Sequence, residues 1–140
     1  FLEDDVRPMG RTSHGVRGIS LRPHDSVVSM DSCVDDTGEV LTVTDKGQGK
    51  RTDISEYRVQ TRGGKGIINL KVTDRTGLIV GSKFINETHD IISAAGIIIR
   101  MNAADISTYG RNAQGVKLMD LEAGDKVAAL AIVNTVSEDE

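Results

Sequence analysis

The sequence predicts an all-β chain of propeller-like blades, each about fifty residues long, and three observations carry that expectation. Arg11, Arg62 and Arg111 lie 51 and 49 residues apart, and Gly15, Gly66 and Gly115 keep that spacing, each glycine four residues after its arginine. The segments between these marks are short runs rich in Val and Ile, punctuated by Gly and Asp turn signals. No window longer than ten residues places its apolar positions at i, i+3 and i+4, as a helix face would require.

Residues 1–9 are read as the end of a preceding blade. The first repeat, residues 10–60, offers strands at Val16 to Leu21, Val27 to Met30 and Val40 to Thr44. Gly47, after Asp45-Lys46, suits the positive-φ position of a hairpin turn, and Gly96, after Ala94-Ala95, falls 49 residues later. The second repeat, residues 61–110, offers Ile67 to Val72, Leu78 to Phe84 and Ile97 to Met101. Its hairpin is compressed, with Val80 and Gly96 16 residues apart where Val28 and Gly47 are 19 apart. Asp53-Ile54-Ser55 is matched to Asp105-Ile106-Ser107. Residues 111–136 form a partial third repeat with Val116 to Leu121 and Val127 to Val136, and Ser137-Glu138-Asp139-Glu140 reads as a solvated acidic tail. Closed rings of blades need about four to eight units. Two repeats and part of a third are therefore expected to be a piece of a longer, incomplete ring.

Composition narrows the function. Two Phe, two Tyr and no Trp argue against a platform for stacking single-stranded bases. Cys33 stands alone, so no disulfide forms within the chain, and an intracellular, cytoplasmic home is expected. There is no run of 18 apolar residues and no basic-plus-apolar leader. The net charge of −4 opposes a nucleic-acid partner until its distribution is read. Residues 6–24 carry Arg7, Arg11, Arg17 and Arg22 and no acid, whereas residues 25–45 carry six acids and no base. From Lys46 to Lys117 twelve bases face six acids, and from Met119 onward six acids face one base. The bases recur in phase with the repeat.

That phase points to a rim of basic loops. Glycine removes the Cβ that would keep a phosphate from the backbone. In Gln60-Thr61-Arg62-Gly63-Gly64-Lys65-Gly66, bare N–H groups flanked by Arg62 and Lys65 would suit a phosphodiester oxygen. The competing reading is that these glycines only shape a turn between blades and the charges face water. Gly10-Arg11 and Gly110-Arg111 are thinner copies of the same mark.

These residues resemble the C-terminal DNA-wrapping domain of the bacterial DNA gyrase A subunit, whose box is usually Gln-Arg-Arg-Gly-Gly-Lys-Gly. Val6-Arg7-Pro8-Met9-Gly10-Arg11, Gly15-Val16-Arg17-Gly18-Ile19, Gly47-Gln48-Gly49-Lys50-Arg51-Thr52, Glu56-Tyr57-Arg58 and Gly110-Arg111-Asn112-Ala113-Gln114-Gly115-Val116 resemble the same domain, in the order expected. The resemblance implies a β-pinwheel, a propeller-like disc whose neighbouring blades exchange strands and whose basic perimeter wraps DNA. Its box residues carry over to Gln60, Arg62, Gly63, Gly64, Lys65 and Gly66, while Thr61 stands where the family has an arginine. The flanking motifs and the acidic end look like later blades, so the box at 60–66 is read as an auxiliary one. Further phosphate contacts are expected from Arg11, Arg17, Lys50, Arg51, Arg100, Arg111 and Lys117. The implied partners are duplex DNA, the gyrase B subunit, and the rest of the gyrase A subunit. ATP and Mg²⁺ are implied for that parent complex, with no cofactor expected in this piece.

No catalytic pattern accompanies the rim. His14, His24 and His89 have no Cys or Glu at ligand spacing, and neither a nucleophile elbow nor a phosphate loop is present. Tyr57 and Tyr109 read as packing residues. A protein-binding propeller would show an exposed aromatic rim, and a channel enzyme would repeat carboxylates or histidines in phase. The topoisomerase IV C-terminal domain remains the rival within the preferred class.

Overall fold

The computed structural model describes residues 1–33, 36–85, 89–94 and 98–134. Its strands are β1 (Glu39–Thr44), β2 (Gln48–Asp53), β3 (Ile79–Ile85), β4 (His89–Ala94), β5 (Ile98–Asn102), β6 (Val116–Lys117) and β7 (Ala129–Asn134). Among the described residues there is no α-helix, only single 3₁₀ turns at Glu3–Asp5, Ile54–Glu56 and Ala103–Asp105. The chain divides into two compact units, one of residues 1–27 and 57–67, the other of residues 28–56 and 68–140.

The larger unit holds two sheets, ordered β3-β1-β2-β6 and β5-β4-β7. Both start from a hairpin. Gly47 adopts φ +75°, the left-handed turn position, and its N–H closes on the Thr44 carbonyl at 3.1 Å. β1 then pairs with β2 from Val43↔Gly49 to Glu39↔Asp53. β4 pairs with β5 from Ala94↔Ile98 to Asp90↔Asn102, the same register moved fifty residues along the chain. The compressed second hairpin therefore pairs as the first does. The Gly96 turn and the tail at 137–140 lie outside the described residues.

Each hairpin takes its third strand from one repeat later, β3 on β1 and β7 on β4. The registers coincide at Thr44↔Ile79 and Ala94↔Ala129, and then differ by the bulge between Val43 and Thr44 in the first sheet. β6 then lies against the far edge of β2, with Gln48↔Lys117 and Gly49↔Val116.

The core follows from alternation on the central strand. In β1, Leu41 and Val43 join Ile85, Ala103, Ile106, Met119 and Val127 in the buried cluster. Thr42 and Thr44 are also buried, on the other face of the strand. Asn69 Nδ2 donates to Thr42 Oγ1 at 2.8 Å, and Gln48 N donates to Thr44 Oγ1 at 3.2 Å, so neither hydroxyl is left unsatisfied.

Several expected strands are not strands. Residues 27–31 run beside β3 and reach it by side chains: the Ser82 N–H donates to Ser29 Oγ at 3.1 Å and the Phe84 N–H to Asp31 Oδ2 at 2.9 Å. Val16 to Leu21 and Ile67 to Val72 also form no ladder, and Val116 to Leu121 pairs only over its first two residues. Conversely, Gln48 to Asp53 has no apolar alternation and is a strand because partners lie on both sides. The match of Asp53-Ile54-Ser55 to Asp105-Ile106-Ser107 is corrected. Asp53 Oδ1 accepts from Ser55 N and Asn102 Oδ1 from Ala104 N, each at 2.8 Å, so Asp53 and Asn102 are the equivalent caps.

The smaller unit contains no buried residue. Its loops at 17–20 and 62–66 are joined by backbone bonds, Gly63 N to Gly18 O and Ser20 N to Gly64 O, both 2.8 Å, and by Ser20 Oγ to Gly63 O at 2.6 Å.

Gly15 and Gly115 share the left-handed conformation, at φ +79° and +82°. A Cβ at Gly115 would sit 2.5 Å from the Gly49 carbonyl oxygen, whereas nothing lies within 4 Å of one at Gly15. Gly115→Ala is expected to cost about 2–3 kcal/mol, from left-handed strain plus displacement of β2, and Gly15→Ala about 1 kcal/mol from strain alone. Urea unfolding midpoints of the two variants check the difference.

Candidate nucleic-acid interface

Two of the three phase-marking arginines, Arg62 and Arg111, prove to be links between repeats. Arg62 Nη1 donates to the carbonyl of Arg17 at 2.8 Å, and Arg111 Nη1 donates to the carbonyl of Ile68 at 2.8 Å. Arg17 and Ile68 each stand two residues past the marking glycine of the repeat before. The same bond is thus made twice, one repeat apart. Arg62 Nε also holds the Asp5 carbonyl at 3.0 Å. A guanidinium has five donors in a rigid fork, so spending some of them on carbonyls fixes its plane and leaves less for a ligand.

Two further expected contacts are corrected. Lys50 is fully buried in β2, and its ammonium donates to the carbonyls of Gly110 at 2.6 Å and Arg111 at 2.7 Å. Burial first, and then the Arg111 charge, lower its pKa to about 8, although Glu56 acts in the opposite sense. Arg51 bonds Glu39 Oε2 through Nη1 at 2.7 Å and the Ile106 carbonyl through Nε at 2.6 Å. Thr108 Oγ1 donates to the other Glu39 oxygen at 2.6 Å, so the ion pair also anchors the end of the second repeat. Both residues lock segment 106–111 onto β2. Spacing alone does not separate such inward cations from outward ones, because a strand edge exposes or buries a residue according to what lies beside it.

The cations left facing water concentrate in the smaller unit. Arg7, Arg11, Arg17, Arg22, Arg58 and Lys65 are exposed there, and among the described residues none makes a side-chain hydrogen bond or ion pair. Across that unit seven bases face four acids. The loop pairing described above brings the exposed Arg17 and Lys65 onto adjoining segments. Gly63 N–H is spent on Gly18, which corrects its expected role as a bare donor, while the N–H groups of Gly64, Lys65 and Gly66 have no described backbone acceptor. Gln60 is half-buried. Arg7, Arg22 and Arg58 were not among the expected contacts, although the acid-free run at 6–24 signalled the first two.

In the larger unit Lys71 and Arg75 are exposed and, among the described residues, make no side-chain hydrogen bond or ion pair, whereas three other exposed bases are engaged. Lys46 donates to the Asp74 carbonyl, Lys117 pairs with Asp120, and Lys126 lies 3.5 Å from Asp45 Oδ2. Arg100 is exposed on β5. Among the described residues no three His, Cys, Asp or Glu side chains are grouped to hold a metal ion.

Sheets that borrow a strand from the next repeat, and basic loops without a catalytic grouping, set the terms for comparison with known proteins. The profile of the DNA gyrase C-terminal domain, a beta-propeller, matches residues 1–33, 38–86 and 91–134. The chain belongs to this family. It is 48% identical over 137 residues to the DNA gyrase A subunit of Staphylococcus epidermidis, covering 96% of this chain and 15% of that protein. The corresponding protein of Lawsonia intracellularis is 44% identical over 146 residues, covering 99% and 17%. The chain therefore spans about a sixth of the length of these relatives. A solved DNA gyrase A C-terminal domain superposes with a TM-score of 0.82 at 26% identity, over 93% of this chain and 45% of that one. The C-terminal domain of a topoisomerase IV superposes with a TM-score of 0.87 over 94% and 42%, and at 22% identity that likeness speaks for the fold alone.

The buried lysine gives the family fold a pH signature. Its native pKa of about 8 lies below the ordinary 10.5, so between these values the unfolded chain holds more protons than the folded one. Stability contributed by this group therefore rises from about pH 8 to 10.5 and is flat below pH 8. Urea unfolding across that window should show the rise in the parent chain, and the difference curve with Lys50→Met should isolate it.

Proposed function

We propose that this chain is a segment of a DNA-wrapping domain that binds duplex DNA without regard to sequence and so serves negative supercoiling by a gyrase-type topoisomerase. The observation that carries this reading is the set of six unpartnered cations in the unit built on the paired loops at 17–20 and 62–66. Phosphates lie in regular array on a duplex and carry no sequence information, so exposed Arg and Lys on glycine-rich loops meet them whatever the bases. Bending a duplex by 40 to 90° over 20 to 30 base pairs costs about 1–6 kcal/mol, which such distributed contacts offset. The larger unit supplies rigidity, its inward lysine and arginines holding successive repeats in fixed relation.

The phosphate-contacting set is Arg7, Arg11, Arg17, Arg22, Arg58 and Lys65, with Arg100 and Lys117 in reserve and the N–H groups of Gly64 and Gly66 beside Lys65. Arg62 and Arg111 act by positioning, and Gln60 and Gly63 shape the loop. The blade assignment follows the repeat: residues 1–9 end one blade, 10–60 and 61–110 are two more, 111–136 begin another, and 137–140 form an acidic tail. The partners are duplex DNA, the gyrase B subunit, and the remainder of the gyrase A subunit, in the bacterial cytoplasm with the chromosome. ATP and Mg²⁺ serve strand passage in other parts of that assembly. Gyrase is favoured over topoisomerase IV because the curated relatives named above are gyrase proteins at 44 to 48% identity.

Binding to unrelated duplexes over a range of salt tests the reading. Each lost phosphate contact lowers the slope of log K against log salt by about 0.9. Lys65→Ala and Arg17→Ala should each reduce it by about that amount on every sequence, while Lys50→Met should leave it unchanged. A strong base preference, or no salt dependence in the parent chain, defeats the proposal. In a complete gyrase, removing these residues should abolish supercoiling of closed circular DNA and retain relaxation.

A further inference from the structure

The three marking arginines open loops of one plan, and the N–H group two residues after each arginine sets one loop apart. Ser13 N donates to the Gly10 carbonyl at 3.0 Å and Ala113 N to the Gly110 carbonyl at 3.1 Å, each closing a tight turn. Gly64 holds the same place after Arg62, and among the described residues its N–H makes no such bond. Its loop is held from outside instead, by half-buried Ser20. Ser20 Oγ donates to the Gly63 carbonyl at 2.6 Å, and Ser20 N donates to the Gly64 carbonyl at 2.8 Å.

A trans peptide is planar, and its C=O and N–H point in opposite directions. None of the described peptide bonds is cis. The Gly63 carbonyl shares its peptide with the Gly64 N–H, and the Gly64 carbonyl shares its peptide with the Lys65 N–H. By drawing both carbonyls onto itself, Ser20 turns both N–H groups away from itself, and Gly64 and Lys65 are exposed. Successive N–H groups aimed one way make a concavity for an anion, and the clamp keeps two repelling carbonyl oxygens off that side. The fold itself gives Gly64 no reason to be glycine. Its φ lies outside the left-handed region that Gly63 and Gly66 occupy, and among the described residues a Cβ there would meet only the Thr61 carbonyl at 3.5 Å, an ordinary contact. A phosphate oxygen approaching the main chain does require that bareness.

We propose that Ser20 is a positioning residue for DNA phosphate: it holds the N–H groups of Gly64 and Lys65 as a two-donor cradle that seats one phosphate oxygen of the duplex beside the Lys65 ammonium. The inference rests on the DNA-wrapping reading above and adds to its cations a contact that is neutral and geometric. The clamp is particular to this loop. Ser20 stands five residues after Gly15, and the residues five after Gly66 and Gly115 are Lys71 and Asp120, neither of which has a hydroxyl. Among the described residues no hydrogen bond joins Lys71 to the loop at 111–115. Arg62 and Arg111 make the same link, so the serine clamp distinguishes the 60–66 loop from its later copy.

Amide NMR of the isotopically labelled intact chain, titrated with a short mixed-sequence duplex, and binding isotherms over a range of salt test this together. In the parent, the Gly64 and Lys65 amide protons should move downfield as duplex is added. Ser20→Ala should erase that movement and weaken binding about tenfold on every sequence, the loss of roughly one hydrogen bond to a charged group. The slope of log K against log salt should stay at the parent value, because Lys65 keeps its charge. Ser20→Thr, which retains the hydroxyl, should restore both the movement and the affinity. Gly64→Ala should weaken binding with an unchanged urea midpoint, since its Cβ fits the protein and obstructs the phosphate. Four results overturn the proposal and leave the wrapping reading standing: amides of Gly64 and Lys65 that stay still while the parent binds, a Ser20→Ala chain that binds as the parent does, a slope that falls with its affinity, or no recovery in Ser20→Thr. A parent chain whose binding shows no salt dependence defeats both.

Discussion

A buried ammonium with no carboxylate of its own is the interaction on which the larger unit depends. Removing a charge from water costs several kcal/mol unless its donors are satisfied, and Lys50 places two of its three on the carbonyls of Gly110 and Arg111. Those carbonyls belong to the turn that opens the third repeat, so the bond joins a strand to a segment sixty residues distant. Beside it Arg51 and Glu39 form their ion pair, Thr108 closes on Glu39, and β6 pairs with Gly49. A hexapeptide without a single large apolar side chain becomes an inner strand because its neighbours come to it.

That dependence explains what was legible in the sequence. The repeat, the hairpin at Gly47 and the β-rich character could be read because glycine spacing and β-branched runs are local signals, and β1, β3, β5 and β7 follow from them. β2 was hidden because Gln48 to Asp53 has no apolar alternation, and Val27 to Met30 looked like a strand although Ser29 and the adjoining Asp31 present side chains, not backbone, to β3. The sequence showed a set of cations but not which of them turn inward. Arginine and lysine look alike in a sequence whether they meet phosphate or carbonyl, and only the partner segment, dozens of residues away, decides.

The outcome is a division of labour among cations of one type. Lys50, Arg51, Arg62 and Arg111 bond to backbone or to Glu39 and fix geometry, whereas Arg7, Arg11, Arg17, Arg22, Arg58 and Lys65 face solvent. The net charge of −4 conceals this, since acids of the larger unit outnumber its bases while the smaller unit is basic. A basic unit and an acidic one in the same chain allow attraction to a polyanion without making the whole molecule adhesive to it.

The arginine link has an evolutionary consequence. Arg62 and Arg111 each grip a main-chain carbonyl one repeat back, and every amino acid supplies that acceptor. No matched pair of side chains has to change together when a unit is duplicated, lost or exchanged. Blade number in such a lineage is therefore free to drift by whole units under recombination, while the sequence at the gripped position diverges, as Arg17 and Ile68 already have.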